Sequence, residues 1–138
     1  MCRANKQGPD LLLRRLNYSH IDAVIVSISP MCTTAMSLRR LLYFYNFRTI
    51  YYVIPHASSD CPALAGIDSR VICVAEDEML PPNITRESLV SPCTAVTRNK
   101  PLGWYVQQFV KLGVARTLPK LSEYYLVWDA DNIPVYVF

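Results

Sequence analysis

The stretch Ala23-Val24-Ile25-Val26-Ser27-Ile28 constrains this chain more than any other part of it. It is a continuous run of β-favouring residues without apolar/polar alternation, the pattern of a strand covered on both faces. Such strands belong to parallel sheets layered between helices. Ser29-Pro30 closes the run. Thr33 or Thr34 can then cap a helix in which Leu38, Leu41, Leu42 and Tyr45 recur at i, i+3, i+4 and i+7, with Arg39 and Arg40 on the solvent side. Ile50-Tyr51-Tyr52-Val53-Ile54, closed by Pro55, is a second run of the same kind. Strand, helix, strand in that order predicts a βαβ unit with a right-handed crossover.

The alternation continues. Arg70 to Val74 reads as a third strand and Tyr124 to Trp128 as a fourth, buried one. Between them, Gly103 opens a helix from Trp104 to about Thr117 that Leu118-Pro119 ends. Leu80 to Leu102 has little periodicity and holds Pro81, Pro82, Pro92 and Pro101, so a long connection with one short helical turn near Glu87 is expected. Residues 1–20 read as a polar, frayed segment and 21–138 as one α/β domain, a mostly parallel sheet flanked by helices. With 138 residues, 51% of them hydrophobic, such a domain can bury a core without metal or disulfide staples.

Composition excludes several function classes. The formal charge of +3 is scattered, Arg14/Arg15 and Arg39/Arg40 being the only adjacent basic pairs, so no nucleic-acid footprint is expected. No apolar run approaches the roughly 20 residues of a bilayer span, and the start of the chain lacks the pattern of a signal peptide. The five cysteines, Cys2, Cys32, Cys61, Cys73 and Cys93, form no CxxC pair and read as mostly buried free thiols. The sequons at Asn17 and Asn83 would matter only in a secretory lumen. With four glycines there is no glycine cradle for ATP or NAD.

The residues that can carry chemistry lie late in the chain. Asp129 and Asp131 follow directly on the fourth strand, at the carboxyl end where open α/β sheets receive ligands. Two carboxylates so placed can face one hard cation, Mg²⁺ or Mn²⁺, which would neutralise a diphosphate. A hydrophilic turn is the plainer reading of the same three residues. On the preceding helix Trp104, Gln107, Gln108 and Lys111 share one face, leaving Tyr105, Val106, Phe109, Val110, Leu112 and Val114 to pack against the sheet. That face is either an ordinary wet surface or a phosphate- and sugar-facing wall with Lys111 as its point charge. Glu76-Asp77-Glu78 can line the mouth of the same crevice or, more simply, form a solvated acidic turn, and His56 is either a ligand contact or, more simply, a loop residue.

The run from Gly103 to Leu112, with Leu121 to Asp131, resembles the nucleotide-diphospho-sugar transferases of the GT-A fold, in particular a glycosyltransferase-like family with a GWYxQQxxKL…YLVxDADxxxL signature. Glu76 to Pro81 is similar to that family's acidic stretch. The resemblance implies a Rossmann-like GT-A half-domain ending after the DxD strand, the donor-binding part of a longer transferase. It implies that Asp129 and Asp131 hold Mn²⁺ or Mg²⁺ against the diphosphate of a nucleotide-sugar donor, and that Lys111 lies near the sugar or phosphate. Trp104, Gln107 and Gln108 are signature positions, and Ser27 and Ser29 end the strand that receives the nucleotide base. No catalytic base and no acceptor are implied by any residue present; the resemblance leaves the compartment open, the Golgi or ER lumen being one option for a longer eukaryotic parent. Two other readings compete: a non-catalytic or vestigial α/β binding module, and a phosphatase in which Asp129 is the nucleophile. The latter normally opens its domain with that motif, whereas only seven residues follow Asp131.

Overall fold

The computed structural model describes residues 16–27, 32–55, 61–85, 88 and 102–135. Strands β1 (Leu16–Tyr18), β2 (Asp22–Val26), β3 (Tyr45–Phe47), β4 (Ile50–Ile54), β5 (Val71–Ala75) and β6 (Tyr125–Asp129) are interleaved with helices α1 (Cys32–Phe44), α2 (Cys61–Ala65) and α3 (Leu102–Thr117). A 3-10 turn spans Glu76–Met79. Four strands make one sheet in the order β5-β4-β2-β6, every neighbouring pair parallel. The chain therefore builds outward from β2 through β4 to β5, then returns to lay β6 on the other side of β2. The direction of building reverses between β2 and β6, and at such a switch point an open α/β sheet has its crevice at the carboxyl ends of the strands. The architecture is the Rossmann-like α/β arrangement the sequence predicts.

Each central strand feeds two cores, which is why its sequence does not alternate. On β2, Ala23 and Ile25 face one way, into a cluster with Leu38 and Leu41 of α1 and Leu64 of α2. Val24 and Val26 face the other way, into a cluster with Val106, Val110 and Val114 of α3. β4 divides likewise, Ile50, Tyr52 and Ile54 against Tyr51 and Val53. All nine of these strand residues are buried.

At the amino end of the sheet, Asp22 is fully buried and fastened from two sides. Arg48 donates to it through Nε and Nη2 at 2.9 and 2.6 Å. The Ser122 N–H donates to Asp22 Oδ2 and the Asp22 N–H donates to Ser122 Oγ, both at 2.8 Å. Burial alone would raise this carboxyl's pKa, but the Arg48 and Ser122 hydrogen bonds outweigh it and hold the pKa below its ordinary value. The clasp ties the start of β2 to the loop before β6.

The structure corrects several expectations. β6 is an edge strand paired only with β2, so it is half-buried rather than enclosed, with Val127 37% exposed. α3 buries only the stripe Val106, Val110 and Val114; Phe109 and Leu112 face outward, 53% and 80% exposed, because an edge strand gives the helix too little sheet to cover. Tyr45 begins β3 instead of ending α1. Its ring lies 5.9 Å from that of Tyr18, which also stacks on Phe47 at 5.8 Å, and this aromatic cluster holds β1 and β3 as a parallel pair. Residues 16–18, inside the segment read as frayed, are thus a strand.

Cys61 and Cys73 are not free thiols but a disulfide between the start of α2 and β5, their Cα atoms 5.8 Å apart. Both are half-buried. The side chains of Cys2, Cys32 and Cys93 lie outside the described residues. In the long connection, Ser88 N–H donates to Thr85 Oγ1 and Thr85 N–H to Ser88 Oγ, a reciprocal helix-start pattern. The turn expected at Glu87 otherwise lies outside the described residues.

Candidate functional site

The crevice between the ends of β2 and β6 is a pocket of about 510 Å³. Its floor is the end of β2, Val26 and Ser27, together with Thr33 and Thr34 from the first turn of α1. One wall is the α3 face carrying Trp104, Gln107, Gln108 and Lys111. The other is the turn after β6, with Asp129, Ala130 and Asp131. Residues far apart in sequence meet because the register sets Val26 beside Asp129 and α3 crosses the sheet above them.

Local chemistry fixes each wall. On α3 the buried valines occupy i, i+4 and i+8, which turns Gln107 and Lys111, each one position on from a buried valine, toward the sheet's carboxyl edge. Gln107 Nε2 donates to the Val26 carbonyl at 3.0 Å, pinning the helix to the last residue of β2. Lys111 Nζ pairs with Asp129 Oδ1. Lys111 is only 17% exposed, whereas Asp129 is 44% exposed.

The DxD segment is a tight turn, closed by the Asn132 N–H donating to the Asp129 carbonyl at 3.0 Å. Ala130 is buried in the α1-side core while the aspartates flanking it both line the pocket. The Asn132 carbonyl accepts from Trp128 Nε1 at 2.9 Å and from Ser37 Oγ of α1. The turn is therefore anchored on the strand, the helix and the core. It is a turn and a pocket wall at once.

Seven candidates from the sequence, Ser27, Trp104, Gln107, Gln108, Lys111, Asp129 and Asp131, thus line one pocket. Ser29 and His56 lie outside the described residues. Glu76 is buried and Asp77 and Glu78 are exposed in the 3-10 turn after β5, at the far edge of the sheet and away from the pocket lining. Comparison with protein-family models, curated proteins and solved structures finds no match for this chain.

Thr33 and Thr34 were legible only as helix caps; the strand order, which makes β2 the switch-point strand, is what brings the start of α1 to the pocket. Tyr52 was legible only as a strand residue. It is fully buried, its hydroxyl near the side chains of Ser27 and Thr34 without a hydrogen bond of ordinary geometry. Burial pushes its phenol pKa up, the neighbouring hydroxyls partly offsetting this.

Among the described residues no cluster of three or more His, Cys, Asp or Glu side chains could hold a metal by itself. The donor set is Asp129 and Asp131, two hard oxygen ligands on one turn. Mg²⁺ and Mn²⁺ commonly take one or two carboxylates and complete their shell with water and phosphate oxygens. The residues therefore fit a cation whose coordination a phosphate-bearing ligand finishes. Bound there, the cation would neutralise that ligand's charge. No helix among the described residues is long and apolar enough to cross a membrane.

Proposed function

We propose that the chain binds a nucleotide-diphospho-sugar donor through a divalent cation held by Asp129 and Asp131, as the donor-binding part of a GT-A-type glycosyltransferase acting on an acceptor not identified by these residues. The observation that carries this reading is convergence: the six side chains singled out by a helix-plus-DxD signature, together with Ser27 at the end of β2, line one pocket at the switch point of a parallel sheet. The pocket's volume lies in the range of small-molecule sites. Asp129 and Asp131 supply the cation's ligands, Lys111 a positive charge for phosphate, and Gln107 and Gln108 amides for polar contacts. Ser27 after β2 and Thr34 in the first turn of α1, both buried, form the floor on which the nucleoside would rest. The disulfide Cys61–Cys73 supports an oxidising compartment such as the secretory lumen for the parent protein.

A second reading has one observation in its favour. Lys111 paired with Asp129 already satisfies that carboxylate, as in a purely structural strand-end ion pair, so a non-catalytic module is the alternative. Calorimetric titration of UDP, GDP and their sugar conjugates, with and without Mn²⁺, separates the two. Donor binding that needs Mn²⁺ and disappears in an Asp129→Ala/Asp131→Ala variant is expected. Binding indifferent to both would remove the metal-held donor site.

A further inference from the structure

We infer that Lys111 is the counter-ion that makes metal binding at Asp129 conditional on an anion: the pocket takes a divalent cation and a diphosphate together, and takes the cation poorly alone. The inference rests on the reading of Asp129 and Asp131 as the cation's ligands. Lys111 Nζ holds Asp129 Oδ1, one of the two oxygens this carboxylate can offer a metal. The lysine is mostly buried, and an ammonium shielded from water requires a compensating charge. A dication arriving at Asp129 would both take that compensation away and repel the ammonium at close range. Among the described residues two carboxylates line the pocket to offset this, one already engaged.

A diphosphate resolves the conflict. Its oxygens can accept the Lys111 ammonium in place of Asp129, leaving the carboxylate for the cation, and they complete the cation's shell. No bond is made or broken; one ion pair is exchanged for two. Linkage makes the effect reciprocal, so the metal strengthens diphosphate binding by the factor with which diphosphate strengthens metal binding.

The test is equilibrium dialysis of Mn²⁺ against the full chain, with and without equimolar inorganic diphosphate, so that metal chelated in solution distributes equally and only protein-bound metal is in excess. For the natural sequence, diphosphate is expected to raise metal affinity about 5–150-fold, the usual span of such couplings. Lys111→Met is expected to bind Mn²⁺ alone at least about tenfold more tightly than the natural chain and to lose most of the diphosphate enhancement. Lys111→Gln, which keeps a polar tip in the wall, is expected to do the same should Lys111→Met fold poorly. Lys120→Met, which removes one exposed charge elsewhere, is expected to change neither value. Natural-sequence binding with diphosphate, but equal affinity for metal alone in the natural and Lys111 chains, overturns the exchange while leaving the metal site standing. Absence of protein-bound Mn²⁺ under every condition overturns both.

Discussion

Single residues carry this structure at two ends of the sheet. At the amino end, Asp22 has no exposed surface and depends on Arg48 and Ser122 for every compensating interaction described. Its pKa is held down, so its contribution to stability is fully present above the unfolded carboxyl value of about 4 and is lost as pH falls through the lowered folded value. Denaturant unfolding followed from pH 6 to pH 2 is expected to show an acid limb that flattens in Arg48→Met. At neutral pH that variant should be less stable than the natural chain, because a buried carboxylate is left with Ser122 alone. An unchanged acid limb would contradict the clasp. None of this was legible beforehand: Asp22, Arg48 and Ser122 are separated by up to 100 residues, and nothing in their spacing announces a contact. Asp129 and Asp131 were legible, because an apolar strand running straight into two carboxylates places them at a known edge of a parallel sheet.

At the scale of elements, close backbone packing and one cross-link set the geometry. A Cβ at Gly113 would lie 2.7 Å from the Met79 carbonyl oxygen, so α3 can rest on the 3-10 turn only because that position has no side chain. Gly113→Ala, favourable for an isolated helix, is expected to destabilise the protein by about 1–3 kcal/mol through the forced shift. It should also weaken ligand binding in the pocket, since Lys111 and Gln107 ride on the displaced helix. A stabilised variant in thermal unfolding would show that the contact yields freely. The disulfide closes a loop of 12 residues and ties α2 to β5. Reduction, or Cys61→Ser with Cys73→Ser, is expected to cost about 2–3 kcal/mol by the chain-entropy account. Strands β2, β4 and β5 and helices α1 and α3 were legible in the sequence because their apolar patterns are strong. β1 and β3 were not, since three-residue strands joined by tyrosine and phenylalanine packing leave no periodic signal. The disulfide was missed for a similar reason: pairing depends on α2 folding back over β5, not on the spacing of the cysteines.

For the whole molecule, topology does the work that no single motif could. The order β5-β4-β2-β6 makes β6 both an edge and the neighbour of β2, so the DxD turn, the start of α1 and the polar face of α3 open on one crevice. Strand order was not legible from the sequence, because βα alternation is compatible with several orders, and without it Thr33 and Thr34 could not be assigned to the pocket. The same topology leaves a second hollow of about 400 Å³ against β6, lined mainly by aromatic side chains including Tyr45, Tyr124 and Trp128. That hollow offers stacking faces but has neither the paired carboxylates nor the lysine in its lining, so the proposed metal-bridged diphosphate is assigned to the first pocket. Amide chemical-shift mapping with Mg²⁺ and a uridine or guanosine diphosphate-sugar decides between them most directly. Shifts are expected to concentrate at Ser27, Thr34, Gln107, Gln108, Lys111 and Asp129 to Asp131, and to be lost when Mg²⁺ is withdrawn. Shifts centred on Tyr45, Tyr124 and Trp128, or none at any donor concentration in a folded chain, would contradict this assignment.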